Sequence, residues 1–212
     1  MIKAILFDLD GTIHDSRDVV FDCVEKTFSH FGFAAPSKAS IVAEVYAGSA
    51  HLFGHLSPKG HDQEMLQYFR DIYKTEQRKI VPYADAKKVL RQLHADGYKL
   101  GVVSSARAAE EFIVAHGLAA FFDVIVGGNT TKAHKPNPEP VNFALQVLAI
   151  APEQAIIVGD LPADIEAGRN AGLKASIAIA HGFGEKQTLE QSRPDYFVDG
   201  FEELYTLITD LV

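Results

Sequence analysis

The chain has 212 residues, 47% of them hydrophobic, enough to bury a real core in one large domain or in a domain carrying a substantial insertion. Its 20 basic and 28 acidic side chains give a formal charge of −8, which argues against a nucleic-acid or anionic-membrane partner but leaves local capture of a small anion open. Cys23 is the single cysteine, which excludes an intrachain disulfide, and no apolar run approaches the roughly 18 residues of a membrane span. The first residues reach acidic Asp8 too soon for a secretory signal. These features predict a cytoplasmic protein, monomer or homodimer, whose partners are small molecules.

The first apolar run, Ile2–Phe7, ends in Asp8-Leu9-Asp10-Gly11-Thr12. Residues i and i+2 of a strand point the same way, so both carboxylates can share one pocket, and Gly11 lets the backbone turn sharply beyond them. Two adjacent carboxylates repel each other and call for a cation, and hard oxygen ligands suit Mg²⁺. Taken alone, the segment also fits an ordinary acidic turn after a strand.

From Asp15 to Pro82 the chain is far longer than one crossover helix requires. Val20, Cys23, Val24, Thr27, Phe28 and Phe31 make one helical stripe, and Met65, Leu66, Phe69, Ile72 and Tyr73 make another. The stretch 15–82 therefore reads as a small helical domain inserted after the first strand, its middle broken into loops by Gly48, Gly54, Pro58 and Gly60. Cys23 falls within an apolar stripe and reads as core rather than as a reactive thiol. His51 and His55 are four residues apart, but Gly54 lies between them and no third ligand is apparent, so a metal pair is not expected there.

Beyond residue 83 short Val- and Ile-rich runs recur at Leu100–Val103, Val124–Val126, Ala155–Val158 and Ser176–Ile179. Helical spacings lie between them, as in Val89, Leu90 and Leu93, or Phe143, Ala144, Val147 and Leu148. This alternation predicts a three-layer α/β fold, a Rossmann-like core with a parallel sheet formed by 1–14 and 83–212. Ligands of such sheets bind beyond the carboxyl ends of the strands. Asp8 and Asp10, Ser104 and Ser105, and Asp160 all follow strands, and Lys135 precedes the prolines of a rigid loop, Pro136, Pro138 and Pro140.

In this order the segments resemble the haloacid dehalogenase-like hydrolases, and among them the phosphatases with a helical cap after the first strand. Asp8–Thr12 is similar to the family's first motif, Val102–Ser105 to its second, Lys135-Pro136-Asn137-Pro138 to its third and Gly159–Asp164 to its fourth. The segments Ala180–Gly184 and Arg193–Tyr196 are similar to the ending of the phosphoglycolate phosphatase-like branch. The resemblance implies that Asp8 is the nucleophile and forms an aspartyl-phosphate, with Asp10 as general acid and then general base. It implies that Ser104 and Lys135 hold the phosphoryl group, assisted by the backbone N–H of Ser105. Mg²⁺ would sit on Asp8, the carbonyl of Asp10 and Asp160, with Asp164 supporting that shell.

The implied function is a Mg²⁺-dependent phosphatase acting on a small phosphomonoester, with phosphoglycolate the first candidate. Asp10 disfavours dehalogenase and phosphonate chemistry, which need no second acid. A sugar-phosphate mutase keeps both acids and stays open, as does a metabolite-binding protein that has lost turnover.

Overall fold

The computed structural model describes residues 1–211. In chain order it forms β1 (Ala4–Phe7), β2 (His14–Asp15), α1 (Arg17–His30), α2 (Lys38–Val45), α3 (Ser49–Leu56), α4 (Asp62–Glu76) and β3 (Val81–Pro82). There follow α5 (Ala86–Ala95), β4 (Lys99–Val103), α6 (Ala109–Ala115), β5 (Val124–Val126), α7 (Glu139–Leu148) and β6 (Ala155–Gly159). The last elements are α8 (Pro162–Asn170), β7 (Ala175–Ile179), α9 (Lys186–Gln191), β8 (Tyr196–Val198) and α10 (Phe201–Asp210).

Six strands make one sheet in the order β5-β4-β1-β6-β7-β8, parallel throughout. β1 is buried on both faces, which is why its sequence is a continuous apolar run instead of an alternating one. Ile5 and Phe7 meet Val89 and Leu93 of α5 and Leu204 and Ile208 of α10 on one side. Ala4 and Leu6 meet Val141 and Leu145 of α7 and Ala167 of α8 on the other. Phe7, with no exposed surface, alone contributes about 2–3 kcal/mol by leaving water. The chain moves outward from β1 to β4 and β5, then crosses back to β6, so the strand order reverses beside β1. That reversal opens a crevice at the carboxyl ends of β1, β4 and β6.

The helices α1–α4 are inserted between β2 and β3, and α1 packs along α4. Val24, Phe28, Phe53, Met65 and Phe69 form their shared core, with Leu161 and Phe183 from the sheet side joining the same cluster. Cys23 is buried in this core, and burial pushes its thiol up to about 11. β2 and β3 pair antiparallel in a separate two-stranded ribbon, His14 opposite Pro82 and Asp15 opposite Val81, so the two ends of the insertion lie side by side. Among the described residues no helix is long and apolar enough to cross a membrane.

Three local expectations change. Gly54 does not break a helix but lies within α3, where nothing would obstruct a side chain at its position. In α7 the buried face is Val141, Ala144 and Leu145, while Phe143 and Val147 are 38% and 53% exposed, because the helix turns its Pro140–Leu145 side to the sheet. The edge strand β8 went unpredicted; it is three residues long and only Val198 is fully buried.

Candidate active site

β1 delivers Asp8 to the crevice with its backbone still in the ladder, the Asp8 N–H donating to the Val158 carbonyl at 2.9 Å. The chain then folds over itself, the Leu9 carbonyl accepting from the N–H groups of both Ile13 and His14 at 2.9 Å. Gly11 takes φ +84°, and a Cβ there would lie 2.3 Å from Asp160 Oδ2. Only glycine meets both demands, left-handed backbone and contact with a carboxylate.

Lys135 reaches this turn from the loop before α7. Its ammonium donates to Asp8 Oδ1 and Asp164 Oδ1, each at 2.5 Å, and to the Val103 carbonyl at 2.8 Å. All three groups are buried. Burial opposes the lysine charge, but the Asp164 and Asp8 carboxylates outweigh it and raise its pKa. The ammonium is therefore a fixed positive charge against Asp8.

α8 begins at Pro162, so Asp160 sits just before the helix and Asp164 in its first turn. One oxygen from each of Asp8, Asp160 and Asp164 lies within 4.8 Å of the other two. Asp160 accepts from the Thr12 hydroxyl at 2.6 Å and from the Phe183 N–H at 2.8 Å, which aims it at β1. Asp164 accepts from the Leu161 N–H through Oδ2 at 3.0 Å, leaving Oδ1 to Lys135. Burial, reinforced by Asp164, lifts the Asp160 pKa to about 7. Burial also raises Asp8 well above the usual carboxylate range, with Lys135 opposing and Asp164 and Asp160 adding to the lift. Ionised together, these three carboxylates would outnumber the one ammonium by two negative charges in a buried pocket, which is why two of them are raised and is the charge a divalent cation would neutralise.

Asp10 lies beside them with Oδ1 buried and without a hydrogen-bond partner. Burial raises its pKa; the Ser16 hydroxyl is near enough to soften the shift yet lies outside hydrogen-bond geometry. Ser104, buried at the end of β4, accepts the Ala106 N–H at 3.0 Å, which leaves its own O–H to donate. The Ser105 hydroxyl is spent on the Tyr46 carbonyl at 2.6 Å, so a role at the phosphoryl group falls to its backbone N–H.

Of the seven residues expected at the site, Asp8, Asp10, Ser104, Ser105, Lys135 and Asp160 lie on the loops at this one crevice and Asp164 in the first turn of α8 beside them. The residues that orient Asp160 were not foreseen as functional. Thr12 and the Phe183 N–H hold it directly, and His181 supports the Thr12 turn by bonding its carbonyl at 2.9 Å while stacking on Tyr83 at 3.7 Å. The segment Ala180–Gly184 stood out in the sequence only through its family likeness, because no periodicity brings residue 183 to residue 160.

A family model described as haloacid dehalogenase-like hydrolase matches residues 5–178. The phosphoglycolate phosphatase of Aquifex aeolicus is 34% identical over 183 residues, 84% of this chain and 85% of its own. The pyrophosphatase PpaX of Bacillus velezensis is 29% identical over 205 residues, 96% of this chain and 94% of its own. Among solved structures, a haloacid dehalogenase-like family hydrolase from Streptococcus pneumoniae aligns over 98% of both chains with TM-score 0.86 and 28% identity. The chain belongs to the haloacid dehalogenase-like hydrolases.

Proposed function

We propose that the chain hydrolyses a small phosphomonoester through an aspartyl-phosphate on Asp8, with phosphoglycolate the first candidate substrate. The observation that carries this reading is the pairing of Asp8, clamped by Lys135, with Asp10, whose Oδ1 is buried and unbonded. One carboxylate is held still for attack; the other is kept in surroundings that favour a proton. An Asp8 oxygen attacks phosphorus and the bond to the leaving oxygen breaks as Asp10 donates its proton there. Asp10 then takes a proton from water, the water oxygen attacks the acyl phosphate, and Asp8 is released with inorganic phosphate. Lys135 and the Ser104 hydroxyl hold negative charge on the phosphoryl oxygens throughout.

The all-oxygen donor set, three carboxylates against one ammonium, fits Mg²⁺, which Asp8 and Asp160 would hold with the Asp10 carbonyl. Bound there, the ion supplies further charge neutralisation to the phosphoryl group. Asp164, with one oxygen on Lys135 and the other on Leu161 N–H, acts by positioning the lysine. The segment 15–82 serves as the cap, its core running into the catalytic side through Leu161 and Phe183 and excluding water from the crevice when closed.

The relatives named phosphoglycolate phosphatase and pyrophosphatase support a substrate carrying a second anionic group beside the transferred phosphate. The test is phosphate release from a panel of monoesters and pyrophosphate, with and without Mg²⁺. Phosphoglycolate is expected to give the highest kcat/KM, and Asp8→Asn to lower it by more than about a thousand-fold. Undiminished turnover by Asp8→Asn removes the nucleophile assignment. Conversion of a hexose 1-phosphate to its 6-phosphate without free phosphate makes the protein a mutase, and binding without turnover makes it a metabolite-binding protein.

A further inference from the structure

Outside the crevice, two imidazoles and a carboxylate converge where α2 meets α3. His51 Nε2 lies 2.9 Å from Glu44 Oε2, and His55 Nδ1 lies 3.9 Å from the same oxygen. The two rings are 4.1 Å apart, and one ligating atom of each of the three residues lies within 4.8 Å of the other two. We propose that Glu44, His51 and His55 form a binding site for a divalent transition-metal ion of the zinc class.

The donor chemistry selects the ion. Two imidazole nitrogens and one carboxylate oxygen match the ligand preference of Zn²⁺ and its neighbours, whereas Mg²⁺ favours an all-oxygen shell. Spacing of four residues on α3 sets both histidines on one helix face, one turn apart. A surface ion pair with Glu44 would need only one imidazole. Two of them sharing one carboxylate repel if both are protonated, whereas one metal ion holds both neutral. His55 Nδ1–H donates to the His51 carbonyl at 2.9 Å, which leaves the lone pair on Nε2, so ligation by His55 requires its exposed ring to turn Nε2 toward Glu44. Side-chain exposures of 25% for His51, 27% for Glu44 and 55% for His55 leave room for solvent to complete the coordination shell.

The connection that brings Glu44 to the histidines is itself anchored. The Tyr46 carbonyl accepts the Ser105 hydroxyl at 2.6 Å, and the Tyr46 ring lies 5.0 Å from the His51 ring. Gly48, at φ +83°, starts α3 with so little room that a Cβ would come 3.0 Å from the Ser105 carbonyl. Glu44 and His51 are thus held by packed elements, and His55 follows His51 one turn along the same helix.

The experiment uses the full chain, stripped with chelator and returned to excess Mg²⁺, titrated with Co²⁺ by visible absorption and with Zn²⁺ by calorimetry. One saturable equivalent is expected, with the d–d bands of a nitrogen-containing site, and it persists in Asp160→Asn. His51→Ala and His55→Ala each weaken it by more than about ten-fold, and Glu44→Gln weakens it without loss of fold by circular dichroism. The proposal is overturned if no saturable uptake occurs in excess Mg²⁺, or if uptake survives His51→Ala and disappears in Asp160→Asn.

Discussion

Lys135 has three protons and three acceptors, two of them carboxylates, and none of the groups faces water. Removing one partner of a buried ionic cluster leaves the rest uncompensated. Lys135→Ala should cost about 3–5 kcal/mol, read as a lower urea midpoint in chelator, and Mg²⁺ should return part of that by replacing the lost positive charge. Arginine does not repair the site, since its planar fork cannot direct three donors from one nitrogen. Thr12→Val keeps the side-chain shape but removes the hydroxyl that orients Asp160. The Mg²⁺ concentration for half-maximal phosphate release should rise about ten-fold, with kcat at saturating Mg²⁺ much less affected. Equal Mg²⁺ dependence in mutant and parent would separate Thr12 from the metal site. Thr12 itself was legible only as a turn residue, because a hydroxyl's partner 148 positions away leaves no trace in local spacing.

At the level of elements, the ribbon of β2 and β3 carries an uncommon burden. His14 is fully buried on it, neither ring nitrogen has a hydrogen-bond partner, and its ring lies 4.9 Å from that of His116. Burial, and then the neighbouring His116, push the His14 pKa from 6.5 down to about 3. Between these values the unfolded chain binds a proton that the folded chain refuses. The contribution of His14 to stability is therefore complete above about pH 6.5 and is lost progressively as pH falls. By about pH 5 the loss should reach about 2 kcal/mol, and His14→Leu should remove that part of the slope in urea midpoints measured from about pH 7.5 to 5. A slope unchanged in His14→Leu would assign the acid sensitivity elsewhere. The two-residue strands that carry this histidine were invisible to periodicity, which needs several residues to declare itself. The long strands of the central sheet declared themselves because burial on both faces demands unbroken Val, Ile and Leu. Helix α7 misled for a related reason: Phe143 and Val147 are apolar yet exposed, and composition alone does not tell which side of a helix meets the sheet.

Across the whole molecule, the order of the motifs along the chain was enough to place the seven expected residues near one another, since a doubly wound sheet sends the ends of β1, β4 and β6 to one crevice. What the order did not convey was the support from residues 181–183, which comes from a loop remote in sequence from Thr12 and Asp160, and the carboxylate beside His51 and His55, Glu44, which the turn between α2 and α3 folds back onto them. Phe183 belongs to the helical core through its ring, 5.9 Å from Phe21, and to the crevice through its N–H on Asp160. Phe183→Ala should lower global stability by about 3–5 kcal/mol and raise KM, because the cap loses its seat while the N–H on Asp160 remains. A rise in the Mg²⁺ requirement with KM unchanged would mean that the ring serves the carboxylate and not the cap. The antiparallel pairing of His14 with Pro82 has a consequence for how such proteins diversify. The two crossings are adjacent strands, about 4.8 Å apart, so the sheet imposes only a short gap on whatever is spliced between them. An insert of another length, or another architecture, can occupy that gap without shifting the register of β1, provided it covers Leu161 and Phe183. The ribbon is thus a socket that can carry a different insert while the residues of the crevice below it stay in place.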